Sequence, residues 1–157
     1  MVEKQNVELK LIHMEDVVSK EVEWLWYPYI PYGKITIIEG DPGEGKTTLV
    51  LKLAAALSRG LPLPCDDDKE YEPIHIIYQT AEDGLGDTIK PRLLAAGADC
   101  SKVLVIDDSD QPLTMADVRL EEAIVQTKAK MVVLDPIQGF LGADVDMPVS
   151  YTHLTLP

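Results

Sequence analysis

The 157-residue sequence predicts an α/β fold: a mostly parallel sheet with helices on both faces. Short, almost wholly apolar runs recur along the chain, at KITIIE (34–39), IHIIYQT (74–80), VLVIDD (103–108) and MVVLD (131–135). Segments with helical spacing of apolar residues alternate with them. Strands that lack polar alternation are those buried on two faces, the pattern of a parallel sheet between helical layers.

Taken in order, residues 1–33 hold strand-like pieces, VELKLI and VEWLWYPYI, broken by Pro28, Pro31 and Gly33. KITIIE follows as a β-branched strand. Thr47–Arg59 reads as a helix, with Leu49, Leu53 and Leu57 at i+4 spacing and Val50 and Ala54 beside them; Gly60 and Pro62 end it. After the strand at 74–80, a helix from about Asp87 closes at Gly97, with Pro91 near its first turn. Beyond the strand at 103–108, Thr114 and Asp117 have the form of a capping box. It opens a helix to about Lys130 with Val118, Ile124 and Val125 on its apolar side. Pro136 stops the last strand.

The segment IEGDPGEGKTT (38–48) lies between the first strand and the first helix. Gly40, Asp41, Pro42, Gly43, Glu44, Gly45, Lys46, Thr47 and Thr48 fit the phosphate-binding loop G-x-x-x-x-G-K-[ST] with strand before and helix after. Glycines let successive backbone N–H groups face phosphate oxygens, and the helix presents the positive end of its dipole to the same anion. Lys46 reaches the β- and γ-phosphates and acts on the transferring group, and the Thr47 hydroxyl can join a Mg²⁺ shell. The implied ligands are a nucleoside triphosphate and Mg²⁺.

A parallel sheet delivers carboxylates to the crevice at its C-terminal edge. Asp135 ends the 131–135 strand and is the expected metal partner of Thr47; Asp107 and Asp108 compete for that role from the end of 103–108. Glu82 follows IIYQTA and is the expected catalytic group for the attacking water, while Asp83 and Asp87 also suit helix N-terminal charge. Gln138 is a further candidate to sense the γ-phosphate.

Composition narrows the remaining classes. Net charge is −13, from 14 basic and 27 acidic residues, which argues against a generally basic nucleic-acid surface. No apolar run approaches the roughly 18 residues of a membrane span, and the polar N-terminus is unlike a secretory signal, so a cytoplasmic protein is expected. Cys65 and Cys100 read as free thiols, and Asp66–Asp68 as a solvated loop. The aromatic residues Trp24, Trp26, Tyr27, Tyr29 and Tyr32 are expected to cover a sheet edge rather than stack a base. Lys90 and Arg92 read as helix surface, and His13, His75 and His153 share no ligand spacing.

Three stretches together resemble RepA-like members of the RecA superfamily, often labelled AAA-family ATPases: EWLWYPYIPYGKITIIEGDPGEGKTTLVLKLAAALSRG, YQTAEDGLGDTIKPRLLAAGAD and VVLDPIQGFLGADVDM. The resemblance runs from about residue 20 to 147. It implies a RecA-like ATPase whose subunits form rings, typically hexamers, with relatives acting as replicative or plasmid DNA helicases on DNA, mainly single-stranded. It also implies Glu82 as the catalytic glutamate and Asp135 as the Mg²⁺-linked aspartate. The family's core continues further, with another strand between the P-loop strand and the Asp135 strand, and its DNA-facing loops, γ-phosphate sensor and interface arginine come later. The resemblance therefore implies a fold incomplete at the C-terminus. On this reading residues 1–147 are the N-terminal part of the core, with 1–33 a lead-in and 34–147 the nucleotide-binding portion. Residues 148–157 are expected to be a non-native tail, because VSYTHLTLP (149–157) is what GTC TCT TAT ACA CAT CTG ACG CTG CCG would encode, a sequence that resembles the end of a transposon adaptor. Two other functions fit the loop: a nucleotide-dependent switch or scaffold with little turnover, and a small-molecule kinase, for which no basic lid is evident. A GTPase fits poorly, since Asn6 is the only asparagine and Asn-Lys-x-Asp is absent.

Overall fold

A computed structural model describes residues 9–66 and 69–142. Asp67, Asp68, His153 and the whole 148–157 tail lie outside the described residues. Chain contacts divide into two compact units at the Ile37–Ile38 bond.

The first unit is built on a small antiparallel hairpin of β1 (Trp24–Trp26) and β2 (Ile30–Pro31). A turn bonded from Tyr29 N–H to Trp26 O joins them, and Tyr32 N–H donates to Glu23 O. The aromatic residues pack on one another within the hairpin, Trp24 edge-on to Tyr27 at 5.3 Å and Trp26 against Tyr29 at 4.5 Å. Tyr27 and Tyr29 remain exposed. Residues 9–12, read as part of a strand, carry no strand pairing.

The second unit is α/β. Its sheet has three parallel strands in the order β4-β3-β5, from β3 (Ile76–Thr80), β4 (Val103–Leu104) and β5 (Met131–Asp135). The central strand is covered on both faces: Ile76, Ile77, Tyr78 and Gln79 are each at most 1% exposed. The long helix α1 (Lys46–Arg59) buries Leu51, Leu53, Ala54, Ala55, Leu57 and Ser58. Leu49 belongs to the more open side. Each fully buried leucine stabilises by about 1.5–3 kcal/mol, so this face fixes the helix firmly. Gly60, left-handed at φ +69, ends α1 and bonds back to Ala56 and Leu57 carbonyls. A π-helical turn (Leu85–Ile89) leads into α2 (Lys90–Ala95), where Pro91 sits in the first turn and Leu93 is buried.

Three sequence expectations need correction. KITIIE (34–39) forms no strand: its isoleucines are 73%, 70% and 40% exposed, and the sheet pairs only β4, β3 and β5. β-Branched composition favours extended backbone but supplies no hydrogen-bond partner, and a strand needs one. VLVIDD (103–108) pairs only through Leu104, because the buried Gln79 amide takes the next place in the ladder: Ile106 N–H donates to its Oε1 at 2.7 Å, and its Nε2 donates to Ile106 O at 3.2 Å. Helix α3 (Val118–Thr127) is capped by Asp117 rather than by a Thr114 capping box, and ends where Lys128 turns left-handed, before Lys130. It buries no residue, and Val118 and Val125 are 61% and 70% exposed.

Two expectations follow. Exposed isoleucines at 34–39 and an exposed apolar side on α3 make the isolated 157-residue chain aggregation-prone. It should show a broad thermal transition, and a soluble monomer melting cooperatively would contradict this. Asp117 accepts from Arg119 N–H and forks with its guanidinium, which holds its carboxyl below the ordinary carboxylate value. A depressed folded pKa stabilises above the unfolded value and is lost as pH falls through the folded one. Protection of the Arg119 amide against exchange, relative to an unstructured peptide at the same pH, should therefore fall in that acid window, and Asp117→Ala should show the reduced protection at neutral pH.

Candidate functional site

The site is assembled from one helix end and two strand tips. The glycine-rich loop turns into α1 at Gly45, whose φ of +86° favours glycine, and no side chain caps the helix. A 14-residue helix with an uncapped N-terminus presents N–H groups and the positive dipole end at the loop. Lys46 lies across the entrance of the loop, its Nζ donating to Gly40 O at 2.6 Å and Asp41 O at 2.8 Å. Glu44 accepts from Asp41 N–H at 2.9 Å, which ties the middle of the loop to its start.

Thr47, one residue into α1, donates from Oγ1 to Asp135 Oδ2 at 2.9 Å. The sheet makes this meeting possible, since β5 runs parallel to β3 with Thr80 opposite Asp135, so both strands end at the same edge. Asp135 also accepts from the Tyr78 hydroxyl, at 2.9 Å to the same Oδ2. Burial and the Asp135 charge push the Tyr78 phenol far above its ordinary value, so it stays a donor.

The structure brings Lys46, Thr47 and Asp135 into one locality. Glu82 lies just past Thr80 at the same edge, where Ala81 N–H donates to Asp135 O; its carboxylate is exposed. The Thr80 hydroxyl organises this turn, accepting from Asp83 N–H at 3.0 Å and Glu82 N–H at 3.4 Å. Asp107 is occupied differently: it accepts from Ser109 N–H and Oγ in a local turn, which lowers its pKa. Asp108 is half-buried beside it. Gln138 is exposed in the short 3₁₀ turn Ile137–Phe140. Lys90 and Arg92 are exposed on α2, and Cys65 and Cys100 are free thiols.

Sequence reasoning missed three contributors. Among the described residues Tyr78 is the one phenol in a buried strand, and asking where its hydroxyl finds a partner would have pointed to a strand tip. Thr80 carried the general turn signal of a hydroxyl ahead of two acids. Gly139 needs no positive φ, yet a Cβ there would lie 2.5 Å from Ala81 Cβ. Its missing side chain lets the 137–140 turn pack against the turn bearing Glu82.

Among the described residues no group of three or more His, Cys, Asp or Glu could hold a metal by itself, and no helix is long and apolar enough to cross a membrane. A hydroxyl and a carboxylate are nonetheless hard oxygen donors suited to Mg²⁺, which keeps few protein ligands and completes its shell with water and phosphate oxygens. The open loop, uncapped helix and adjacent ammonium suit a polyphosphate on the same grounds.

The AAA domain family model matches residues 5–152. The chain belongs to the AAA domain family. It is thus a P-loop protein of the nucleotide-binding ATPase type. No curated protein and no solved structure matches it significantly.

Gly139→Ala should force the 137–140 turn away from Ala81 and cost about 1–3 kcal/mol, the usual penalty of overpacking a tight contact. Chemical denaturation measures it; an unchanged midpoint would show that the two turns do not need their close approach.

Proposed function

We propose that this chain carries the P-loop portion of a RecA-like ATPase core, which binds ATP with Mg²⁺ and hydrolyses it in a cytoplasmic, ring-forming motor of the DNA-helicase or replication type. The observation that supports it is the bond from Thr47 at the start of α1 to Asp135 at the tip of β5, beside Lys46. On this reading residues 34–147 carry the nucleotide-binding part of the core.

The division of labour follows from the side chains. Backbone N–H groups of the loop and the α1 terminus bind the phosphates, and the Lys46 ammonium counters charge on the transferring group. Thr47 and Asp135 would hold Mg²⁺, which when bound supplies neutralisation of β- and γ-phosphate charge. Glu82, on the neighbouring tip, orients the attacking water and takes up its proton. Its exposure at the shared edge and its Thr80-anchored turn support that assignment.

Asp135 and Glu82 differ in ways that suit two tasks. Asp135 is half-buried and tied by two hydroxyls, as a metal partner should be. Glu82 is exposed, so its carboxylate is free to meet a water.

The test measures calorimetric ATP binding and phosphate release with and without single-stranded DNA. Lys46→Ala is expected to weaken binding by at least about tenfold; Glu82→Gln should bind normally and turn over about 100-fold more slowly. Normal binding in Lys46→Ala would remove the ATPase reading. Nucleotide binding without turnover in the unmutated protein would favour a switch, and turnover indifferent to DNA would remove the motor assignment.

A further inference from the structure

We infer that Tyr78 is a positioning residue, a buried phenol that fixes the Asp135 carboxylate so that its second oxygen is the one offered to the metal; this rests on the Mg²⁺–nucleotide reading above. Tyr78 is fully buried in the middle of the central strand. Its register partner on β5 is Val133, and Asp135 stands two residues further along, on the same face of the sheet. The phenol is long enough to cross that diagonal, and its hydroxyl reaches Asp135 Oδ2 at 2.9 Å.

Thr47 Oγ1 reaches the same oxygen at 2.9 Å from α1. A carboxylate turns easily about its last side-chain bond, whose preference is broad and two-fold. One donor from the helix and one from the neighbouring strand hold Oδ2 from two directions and so set the plane of the group. Each carboxylate oxygen has about two lone pairs, so these two donors account for Oδ2 and leave Oδ1 for another partner. Both donors are neutral hydroxyls; an arginine or lysine in place of Tyr78 would orient the carboxylate but set a positive charge beside the place meant for a cation. Outer partners of this kind commonly govern metal affinity by about 10–100-fold when removed.

A purely structural alternative has Asp135 serving Tyr78, as the acceptor that a buried hydroxyl requires. The two differ in what Tyr78→Phe changes. The protein is titrated with Mg²⁺ in the presence of a fluorescent ATP analogue, with thermal melting measured in parallel. Positioning raises the Mg²⁺ concentration for half-maximal binding by about 10–100-fold, while the metal-free affinity for the analogue stays within about threefold of the unmutated protein. Tyr78→4-aminophenylalanine restores a donor on the same ring and should bring the half-point back, which also keeps the test decisive if the Phe variant folds poorly. A Mg²⁺ half-point unchanged in Tyr78→Phe, or a 4-aminophenylalanine variant displaced as far as Phe, overturns the inference while leaving the nucleotide reading intact. Binding by the unmutated protein that ignores Mg²⁺ overturns both.

Discussion

The hydrogen bond from Thr47 to Asp135 is the constraint on which the site depends. It joins residues 88 positions apart, one at the start of a helix and one at the end of a strand. A neutral hydrogen bond has a net worth of only about 1 kcal/mol, and one to a charged group about 1.5–3 kcal/mol, too little to dock a helix by itself. Apolar burial and backbone pairing set its geometry instead. The buried face of α1 from Leu51 to Ser58 fixes where the helix lies, and the five-residue register of β5 on β3 fixes where Asp135 lies. The bond forms only when both have been placed correctly.

Charge is kept apart in the same arrangement. Lys46 stands one residue before Thr47, yet its ammonium donates to the Gly40 and Asp41 carbonyls, while Asp135 receives neutral hydroxyls. A direct pair between Lys46 and Asp135 would neutralise both charges against each other. Separated, the ammonium and the carboxylate are each available to a different part of one ligand, an anion for the first and a cation for the second. The neutral donors satisfy a half-buried carboxylate without an opposing charge.

Much of this was legible in the sequence, and the misses have physical causes. The glycine spacing, the lysine and threonine at the helix start and the α1 boundaries are local features, set by sterics and capping, so a short window contains them. The strands read at 74–80 and 131–135 are present, the first only from Ile76, because burial on two faces leaves a continuous apolar run. KITIIE has the same composition but no described pairing, since propensity is local and a ladder partner is not. The shortened 103–104 strand depends on the Gln79 side chain, 27 positions from the backbone it pairs with. Apolar spacing on α3 was visible, but whether anything covers it was not. Tyr78 and Gly139 act across the sheet tips, where only the register discloses their neighbours.

The close approach of Gly139 to Ala81 shows why both tips must be considered together. Parallel strands bring their C-terminal ends to one edge, and the chain leaving each must turn without filling the space the other needs. The Thr80 hydroxyl folds the first exit back on itself by accepting two backbone N–H groups. A glycine in the second exit removes the side chain that would collide with the first. Together they let two acidic residues share an edge in unlike surroundings, Asp135 held by side-chain donors and Glu82 fixed through its backbone. A larger residue at 139 would have to move one exit, and the exit it presses on carries Glu82. The spacing of the tips is therefore set as much by what is absent at 139 as by what is bonded at 135.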